Sequence, residues 1–430
     1  MFVALFTNEP KQWSPKIHRS SFETEVDIEV DDFSGYLLGD KWLYSLDNFA
    51  AHSPVRSESF QAFVTSGDPI PRIAVKKTQN SIIIARDYLG FHPLYFAENS
   101  SAVVFSSRKS VLWRLGFEPE RVKASQILEI RSPGRIFKKK RGYSPPILRD
   151  ITKNESMEET IYATLKKTIS SSISKLKPKK IALAYSGGID SSLIALATSE
   201  VFDGKLFLIT VGTPSSHDRK AARESVRNLN IEAEHVEINL NVGNVEKDVN
   251  EVVRKIESPS PLQLEIAVPF FYMRKKAEEI GVDLVLAGQG ADELFLGYHK
   301  FVRAESDRER LKLEQRMLRN MARRNLERDY KVFYPFPVVL PFLSKKMIAT
   351  AAKIPLSEKI TTVRKKPLRD TLQFLGYPTL SQEKKKAVQY GTNAKTILVN
   401  IAKKRNMKGI TQLANEEFNI CFGESVEACY

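Results

Sequence analysis

Cysteine is scarce in this chain of 430 residues: it has two, Cys421 and Cys429, both near the C-terminal end. This excludes a disulfide framework and any zinc site built from four cysteines. The two thiols could form one local bridge, although free thiols in a reducing compartment fit better. Long apolar runs are also missing. None approaches the roughly 20 residues of a membrane span, and the N-terminal apolar run is too short for a signal peptide. We therefore expect a cytoplasmic protein.

Acidic residues are the minority charge: 66 Lys and Arg stand against 51 Asp and Glu, which gives a net charge of +15. Such a surplus would suit a polyanion such as RNA, or a nucleotide, but a solvated lysine-rich surface is the simpler explanation. The basic runs are dispersed along the chain and lack interleaved aromatic residues. Binding to nucleic acid is therefore not favoured, although charge alone does not exclude it.

The spacing of apolar and turn residues divides the chain. Residues 1–148 contain short β-type runs with one short helix, "SRKSVLWRLG", between them. Residues 155–400 alternate apolar strands with amphipathic helices and become helical after Phe295, and residues 401–430 form a C-terminal extension. Alternating strands and helices require right-handed crossovers. The pattern therefore predicts an α/β fold with a doubly wound parallel sheet and a helical C-terminal part, preceded by a β-rich domain.

A glycine-rich turn follows a buried strand in "KIALAYSGGIDSS", which ends at Ser192. Glycine lets the backbone approach an anion closely, and the first N–H groups of the next helix supply donors at the positive end of its dipole. Asp190 would repel a phosphate unless a cation bridged the two, so its position implies Mg²⁺. The spacing matches neither the Walker pattern nor Gly-x-Gly-x-x-Gly. A plain strand-to-helix turn is the alternative.

A second loop, "AGQGADELFLGY", follows another predicted strand and carries Asp292 and Glu293. In a doubly wound sheet, ligands bind outside the carboxyl ends of the strands near the switch point. We therefore expect both loops to meet over one nucleotide, with Asp190 and Asp292 sharing the metal. The acidic pair could also be an ordinary feature of a helix N-terminus, favoured by the dipole.

These motifs carry a family resemblance. "SGGIDSS" resembles the pyrophosphate loop of the N-type ATP pyrophosphatases, and "GQGADELFLGY" resembles the synthetase domain of the asparagine synthetase family. The segments "SSHDRKAAR", "PFLSKKMIATAAKIP", "KKPLRDTLQFLG" and "KKKAVQYG" match that family in the same order. The resemblance implies the adenine nucleotide alpha hydrolase-like fold, ATP and Mg²⁺ as cofactors, and cleavage of ATP to AMP and pyrophosphate.

The resemblance also assigns roles to residues. The pyrophosphate and its metal would be held by Ser186, Gly187, Gly188, Asp190 and Ser191. The adenosine would contact Tyr185 and Val211, and the same nucleotide would lie against Ala287 and Gly288. The metal carboxylates would be Asp190 and Asp292. Lys385 aligns best with a lysine that neutralises charge developing on the acyl phosphate, with Lys384 and Lys386 as the alternatives one position away. The three lysines could also be a solvated basic patch.

Two departures from the family pattern bear on the reaction. Many relatives have Glu where this chain has Gln289, at a position that orients or deprotonates the attacking amine. Glutamine can hydrogen-bond but cannot act as a general base. Either neutral ammonia attacks unaided, or another carboxylate such as Glu293 assists. The segment around "PFLS" also lacks the charged residues of relatives, with Pro337, Val339 and Ser344 in their places. This leaves open which carboxylate is the acceptor, normally aspartate.

The segments "ARDYLGFHPLYF" and "VVFSSRKSVLW" resemble the end of a class II glutamine amidotransferase domain, an Ntn-hydrolase-like α+β fold. That family uses an N-terminal cysteine as its nucleophile. Here Phe2 stands at position 2, and no cysteine precedes Cys421. We therefore expect a degenerate domain without glutaminase activity, which serves as a scaffold, in dimerisation, or in closing the synthetase site. A separate glutaminase could supply the ammonia.

The sequence leaves three functions to compare. The first is an ATP-dependent carbon–nitrogen ligase that adenylates a carboxylate for attack by ammonia or another amine. The family resemblance favours aspartate as this carboxylate. The second is an ATP-dependent enzyme that adenylates a base in tRNA, which the positive charge would suit. The third is a nucleotide-binding regulator without catalysis, which the lost N-terminal thiol and Gln289 would fit. His217 and His299 flank the predicted site and read as polar loop or packing residues.

Overall fold

The computed structural model describes residues 3–7, 30–31, 35–36, 73–77, 81–132, 135–139, 156–320, 326–360, 363–382 and 387–427. The role of position 2, the boundary at residue 148, the role of Lys385 and the state of Cys429 are predictions that lie outside these residues. None of the described helices combines the length and the apolar content needed to cross a bilayer.

The N-terminal part consists of short antiparallel strands, as its turn-punctuated pattern predicts. They are β1 (Val3–Thr7), β2 (Val30–Asp31), β3 (Gly35–Tyr36), β4 (Ile73–Lys77), β5 (Ile82–Arg86), β6 (Tyr95–Glu98), β7 (Ala102–Ser106), β8 (Glu120–Arg121), β9 (Ile127–Ser132) and β10 (Arg135–Lys139). Within the described residues they form a six-stranded sheet in the order β2-β3-β1-β7-β6-β8 and a four-stranded sheet in the order β10-β9-β5-β4. Phe96 and Phe105 of the first sheet share an apolar cluster with Ile84 and Leu128 of the second, so the sheets are layered. The predicted short helix is α1 (Lys109–Arg114).

The middle of the chain alternates helices and strands. It contains α2 (Met157–Leu176), β11 (Lys180–Ala184), α3 (Ile189–Ser199), β12 (Lys205–Gly212), α4 (His217–Leu229), β13 (Glu234–Asn239), α5 (Val242–Ile256), α6 (Pro261–Ile280) and β14 (Leu284–Leu286). Ser156 caps α2, since its hydroxyl accepts from the N–H of Glu159 at 3.3 Å. The α/β fold class predicted from the alternation is confirmed.

The order of strands in the parallel sheet is β13-β12-β11-β14-β15, where β15 is Val338–Val339. From β11 the chain builds outward through β12 and β13, then returns to the opposite side of β11 with β14. The carboxyl ends of β11 and β14 are therefore the switch point, where doubly wound sheets bind ligands. The sequence pattern missed β15, because two residues between Pro337 and Pro341 are too few to show a period.

After β14 the described chain is mainly helical. Its helices are α7 (Ala291–Leu294), α8 (His299–Arg303), α9 (Asp307–Asn320), α10 (Leu326–Phe333), α11 (Lys345–Lys353), α12 (Leu356–Lys359), α13 (Lys366–Phe374), α14 (Pro378–Ser381), α15 (Val388–Gly391), α16 (Ala394–Lys404) and α17 (Ile410–Glu427). The boundary predicted at residue 400 falls inside α16. Two aromatic rings of α17, Phe418 and Phe422, pack on Trp113 of α1 with centroids 5.6 and 5.4 Å away. In α17 the Cys421 thiol lies 3.6 Å from the carbonyl oxygen of Asn250.

Buried charges join the β-rich part to the parallel-sheet part. Glu257, which follows α5 and is fully buried, accepts from Arg108 Nε at 2.9 Å, Ser110 Oγ at 2.7 Å and Lys331 Nζ at 2.6 Å. Burial opposes its ionisation, but the charges of Arg108 and Lys331 outweigh burial and lower the pKa of Glu257. The carboxylate thus ties α1 to α10.

A second, partly buried carboxylate, Glu327 of α10, makes a similar junction. It pairs with Arg86, with Arg121 Nε at 2.6 Å, and with the hydroxyl of Tyr95 at 2.7 Å. Burial alone would raise the pKa of Glu327, but Arg86 and Arg121 lower it to about 2. These ion pairs join the β-rich part to α10. Removing one partner from such a cluster would leave an uncompensated charge, so both parts of the chain contribute to its stability.

Candidate nucleotide site

The first candidate loop runs from the end of β11 into α3. Gly187 has φ +74°, and a Cβ placed there would lie 2.4 Å from the backbone of Ala221 and Ala222, so only glycine fits. Gly188 is the N-cap of α3 and offers no capping side chain, which leaves the first N–H groups of the helix able to bind an anion. Ser191 Oγ donates to the carbonyl oxygen of Gly188 at 3.0 Å and fixes the turn.

The second candidate loop follows β14, the neighbour of β11 in the sheet. Gly290 has φ +97°, and a Cβ there would lie 2.4 Å from Leu343. A Cβ at Gly288 would come 3.2 Å from Cβ of Asp190, so the two loops are in close contact. Ala287 is buried beside them at 1% exposure. The structure thus brings together the two loops that the sequence singled out.

A lysine lies between the carboxylates of the two loops. Lys365 Nζ is 2.7 Å from Asp190 Oδ1 and 2.5 Å from Asp190 Oδ2, and it lies 2.8 Å from Asp292 Oδ1. Its side chain is 3% exposed, and its backbone has φ +56° immediately before α13 begins. The two Asp residues are therefore close in space, and one buried ammonium group contacts both.

Sequence reasoning gave Lys365 no role, although it stands in a matched segment, "KKPLRDTLQFLG". The contact joins residues that are far apart in the chain, so no local spacing reveals it. The sequence did indicate that two carboxylates would lie close together, and such a pair requires a cation beside it.

The two positions expected to contact adenosine lie at the ends of β11 and β12. The ring of Tyr185 is 2% exposed, and its hydroxyl contacts Ser225 Oγ and lies 3.4 Å from Ser192 Oγ. Val211 is 7% exposed. The side chain of Tyr185 therefore contacts α3 and α4 through its hydroxyl group.

Several polar side chains lie in or near the two loops. The hydroxyl of Tyr298 donates to Glu293 Oε1 at 2.5 Å. Gln289 lies near the buried carboxylate of Asp329 in α10; burial raises the pKa of Asp329, and Gln289 lowers it in part. Sequence reasoning missed Asp329. Of the histidines, His299 is exposed and His217 Nδ1 lies 3.4 Å from Asp218 Oδ1.

The "PFLS" segment is an apolar part of the framework. Val339 in β15 is fully buried and pairs with Leu286 of β14. The hydroxyl of Tyr88, from the β-rich part, donates to the carbonyl oxygen of Leu343. Ser344 caps α11 by accepting from the N–H of Met347 at 3.2 Å. This segment therefore offers packing and a helix cap.

A family model described as asparagine synthase matches residues 164–340, which include both candidate loops. Residues 164–340 are therefore similar to the asparagine synthase family. A candidate glutamine-hydrolysing asparagine synthetase of Methanocaldococcus jannaschii is 27% identical over 76% of this chain and 70% of its own length. Asparagine synthetase 1 of Arabidopsis thaliana is 28% identical over 65% of this chain, and asparagine synthetase B of Escherichia coli is 26% identical over 66%. The chain spans 49% and 53% of these two proteins, about half of their length.

Solved structures with a likeness to the chain include an NMN synthetase from Francisella tularensis, with 13% identity, a TM-score of 0.33, and coverage of 64% of this chain and 97% of that one. An ammonia-dependent NAD synthetase from Campylobacter jejuni has a TM-score of 0.29 at 13% identity, covering 61% of this chain and 93% of that one.

Proposed function

We propose that this chain is an ATP-dependent carbon–nitrogen ligase that adenylates a carboxylate and transfers the acyl group to ammonia or another amine. The observation that carries the proposal is the meeting of two loops at the switch point of the parallel sheet, with Asp190 and Asp292 on one buried ammonium group. The similarity to the asparagine synthase family and the named relatives support aspartate as the first carboxylate to test.

ATP would bind with its pyrophosphate over the first loop. The uncapped N-terminus of α3 offers N–H donors and a positive dipole end, and Gly188 leaves the space a close anion needs. Ser186 and Ser191 add hydroxyl groups beside them. Adenosine would lie across the ends of β11 and β12, near Tyr185 and Val211, with Ala287 and Gly288 behind the same nucleotide.

The residues present fit a Mg²⁺ ion that arrives with the nucleotide. No group of three His, Cys, Asp or Glu able to hold a metal occurs among the described residues, but Mg²⁺ needs only one or two carboxylates when phosphates and water complete its shell. Asp190 and Asp292 already converge on one cation and would hold the metal. When bound, Mg²⁺ would supply positive charge opposite the departing pyrophosphate.

In the proposed reaction, an oxygen of the carboxylate substrate attacks the α-phosphorus of ATP and pyrophosphate leaves. The amine then attacks the acyl carbon, and AMP leaves with the electrons of the broken carbon–oxygen bond. Lys365 holds both loop carboxylates in place during these steps. Lys385, by its family position, would neutralise charge on the acyl phosphate. With phenylalanine at position 2, we propose that ammonia comes free or from a separate glutaminase.

Pyrophosphate release with Mg·ATP, aspartate and ammonium tests the proposal. We expect release to require the carboxylate and to fall at least a hundredfold in Asp190→Asn, with the exposed Asp307→Asn as the matched control. Release stimulated by tRNA alone would favour an RNA-modifying enzyme. ATP binding without turnover of any substrate would favour a regulator. Efficient use of glutamine by the pure protein would contradict the absence of a glutaminase.

A further inference from the structure

Two buried acceptor atoms beside the second loop have no donor. Asp329 in α10 has a fully buried side chain, and Arg328 donates to its Oδ1 from Nε at 2.8 Å and from Nη2 at 2.5 Å. The other oxygen, Oδ2, has no hydrogen-bond partner within the described part of the chain. The Oε1 atom of Gln289 is also buried and lacks a partner among the described residues.

The two side chains are neighbours, since the Gln289 amide acts on the Asp329 carboxylate and partly offsets the rise that burial causes in its pKa. A buried acceptor without a donor costs folding free energy, and native structures rarely keep such atoms without a reason. Two of them on neighbouring side chains, one on a carboxylate, are complementary to a small group that carries several N–H donors. Ammonia, ammonium and primary amines have this character.

The position of the pair matches such a role. Gln289 directly follows Gly288, whose Cα faces Cβ of Asp190 in the first loop. Gln289 therefore belongs to the loop that contacts Asp190. The charged groups that act on Asp329 are Arg328 and Glu293.

The surroundings of Asp329 raise the affinity of its carboxylate for a proton. Burial raises the pKa of Asp329, the charge and hydrogen bonds of Arg328 lower it in part, and Glu293 raises it. The hydroxyl of Tyr298 donates to Glu293, so that carboxylate has its own partner. Asp329 thus has a stronger affinity for a proton than an exposed aspartate.

We propose that Asp329 Oδ2 and Gln289 Oε1 form the subsite for the attacking amine, and that Asp329 accepts its proton. The inference rests on the proposed ligase function. Ammonia attacks the acyl carbon, so a carbon–nitrogen bond forms and the carbon–oxygen bond to AMP breaks, its electron pair leaving with AMP. The proton lost by nitrogen passes to Asp329 Oδ2. Asp329 on α10 thereby supplies the carboxylate that Gln289 does not.

The test separates the two half-reactions. Carboxylate-dependent exchange of pyrophosphate into ATP reports adenylation, and amide formation with ammonium reports the second step. In Asp329→Asn, an N–H group replaces the proton acceptor at nearly the same volume. We expect exchange to stay within about threefold of wild type and amide formation to fall by about a hundredfold or more. Asp248→Asn, which removes a partly buried carboxylate from α5, is the matched control.

Gln289→Leu is the second variant, in case Asp329→Asn does not fold. We expect the KM for ammonium to rise at least tenfold while exchange is kept. Amide formation unchanged in a folded variant would overturn the subsite and indicate that water alone fills the acceptor pair. Loss of exchange together with amide formation would show a structural role and also overturn it. No exchange in the wild type would refute the ligase function itself.

Discussion

Gly187 and Gly188 are adjacent in the nucleotide loop, yet the structure gives them different tasks, and alanine substitution separates these tasks. Gly187→Ala forces a residue with a side chain into φ +74° and places its Cβ 2.4 Å from backbone atoms of α4. Gly188→Ala places a Cβ no closer than 3.5 Å to its nearest neighbour, Ser186 Oγ, at an ordinary φ of −80°. The first glycine is required by the fold, and the second by the proposed ligand.

The expected magnitudes follow from these contacts. A left-handed backbone costs an L-residue about 1–2 kcal/mol. Moving α4 away to relieve the overlap costs about 1–3 kcal/mol more. Gly187→Ala should therefore lower the free energy of unfolding by about 2–5 kcal/mol, a large share of the ~5–15 kcal/mol typical of a domain. Gly188→Ala changes an N-cap residue, and its effect should stay within about 1 kcal/mol.

Urea denaturation followed by far-UV circular dichroism measures the stabilities, and titration calorimetry measures the affinity for Mg·ATP. We expect Gly188→Ala to keep its denaturation midpoint but to bind Mg·ATP at least tenfold more weakly, since its methyl group occupies the space proposed for the pyrophosphate. Equal stability of the two variants would refute the packing argument. Wild-type affinity in Gly188→Ala would refute the phosphate site.

Three further predictions concern buried charges. Glu257→Gln leaves Lys331 without its carboxylate and should lower the free energy of unfolding by about 3–5 kcal/mol. The control Glu200→Gln removes a more exposed carboxylate and should lower it by about 1 kcal/mol or less. Equal shifts of the urea midpoint in the two variants would contradict this prediction. Because its arginine partners outweigh burial and lower the pKa of Glu327 from 4.5 to about 2, stability present above pH 4.5 should fall as the pH approaches 2; a flat acid profile of the melting temperature would count against the network. Lys365→Met removes the cation between the loop carboxylates, so Mg²⁺ without nucleotide should raise its melting temperature more than that of wild type; equal shifts would argue against a shared cation site.

Helix and strand periods predicted most of the parallel-sheet part, because each depends on neighbours in the sequence. The apolar repeats over 245–256 and 265–280 predict two helices, which in the structure are Val242–Ile256 and Pro261–Ile280. Both starts were placed late. The caps, Asn241 and Ser260, accept backbone hydrogen bonds that begin each helix before its apolar face appears.

The candidate site likewise contains residues that the sequence revealed and residues that it did not. The two loops and their carboxylates, Asp190 and Asp292, were found from the sequence, since glycine and aspartate after a buried strand have a local physical meaning. Lys365 and Asp329 were not found. Each approaches the loops from a helical segment distant in sequence, and no local pattern records which lysine or aspartate will be buried there.

The sequence by itself determined the alternation of strands and helices, the glycine-rich turn at Gly187 and Gly188, and the acidic residues near it. Backbone conformation and apolar periodicity depend on residues a few positions apart, so they can be read along the chain. Tertiary structure alone decided that one ammonium group joins Asp190 to Asp292 and that Asp329 lies beside Gln289. Burial and pairing of charges depend on which distant segments pack together, and this is settled only when the whole chain folds.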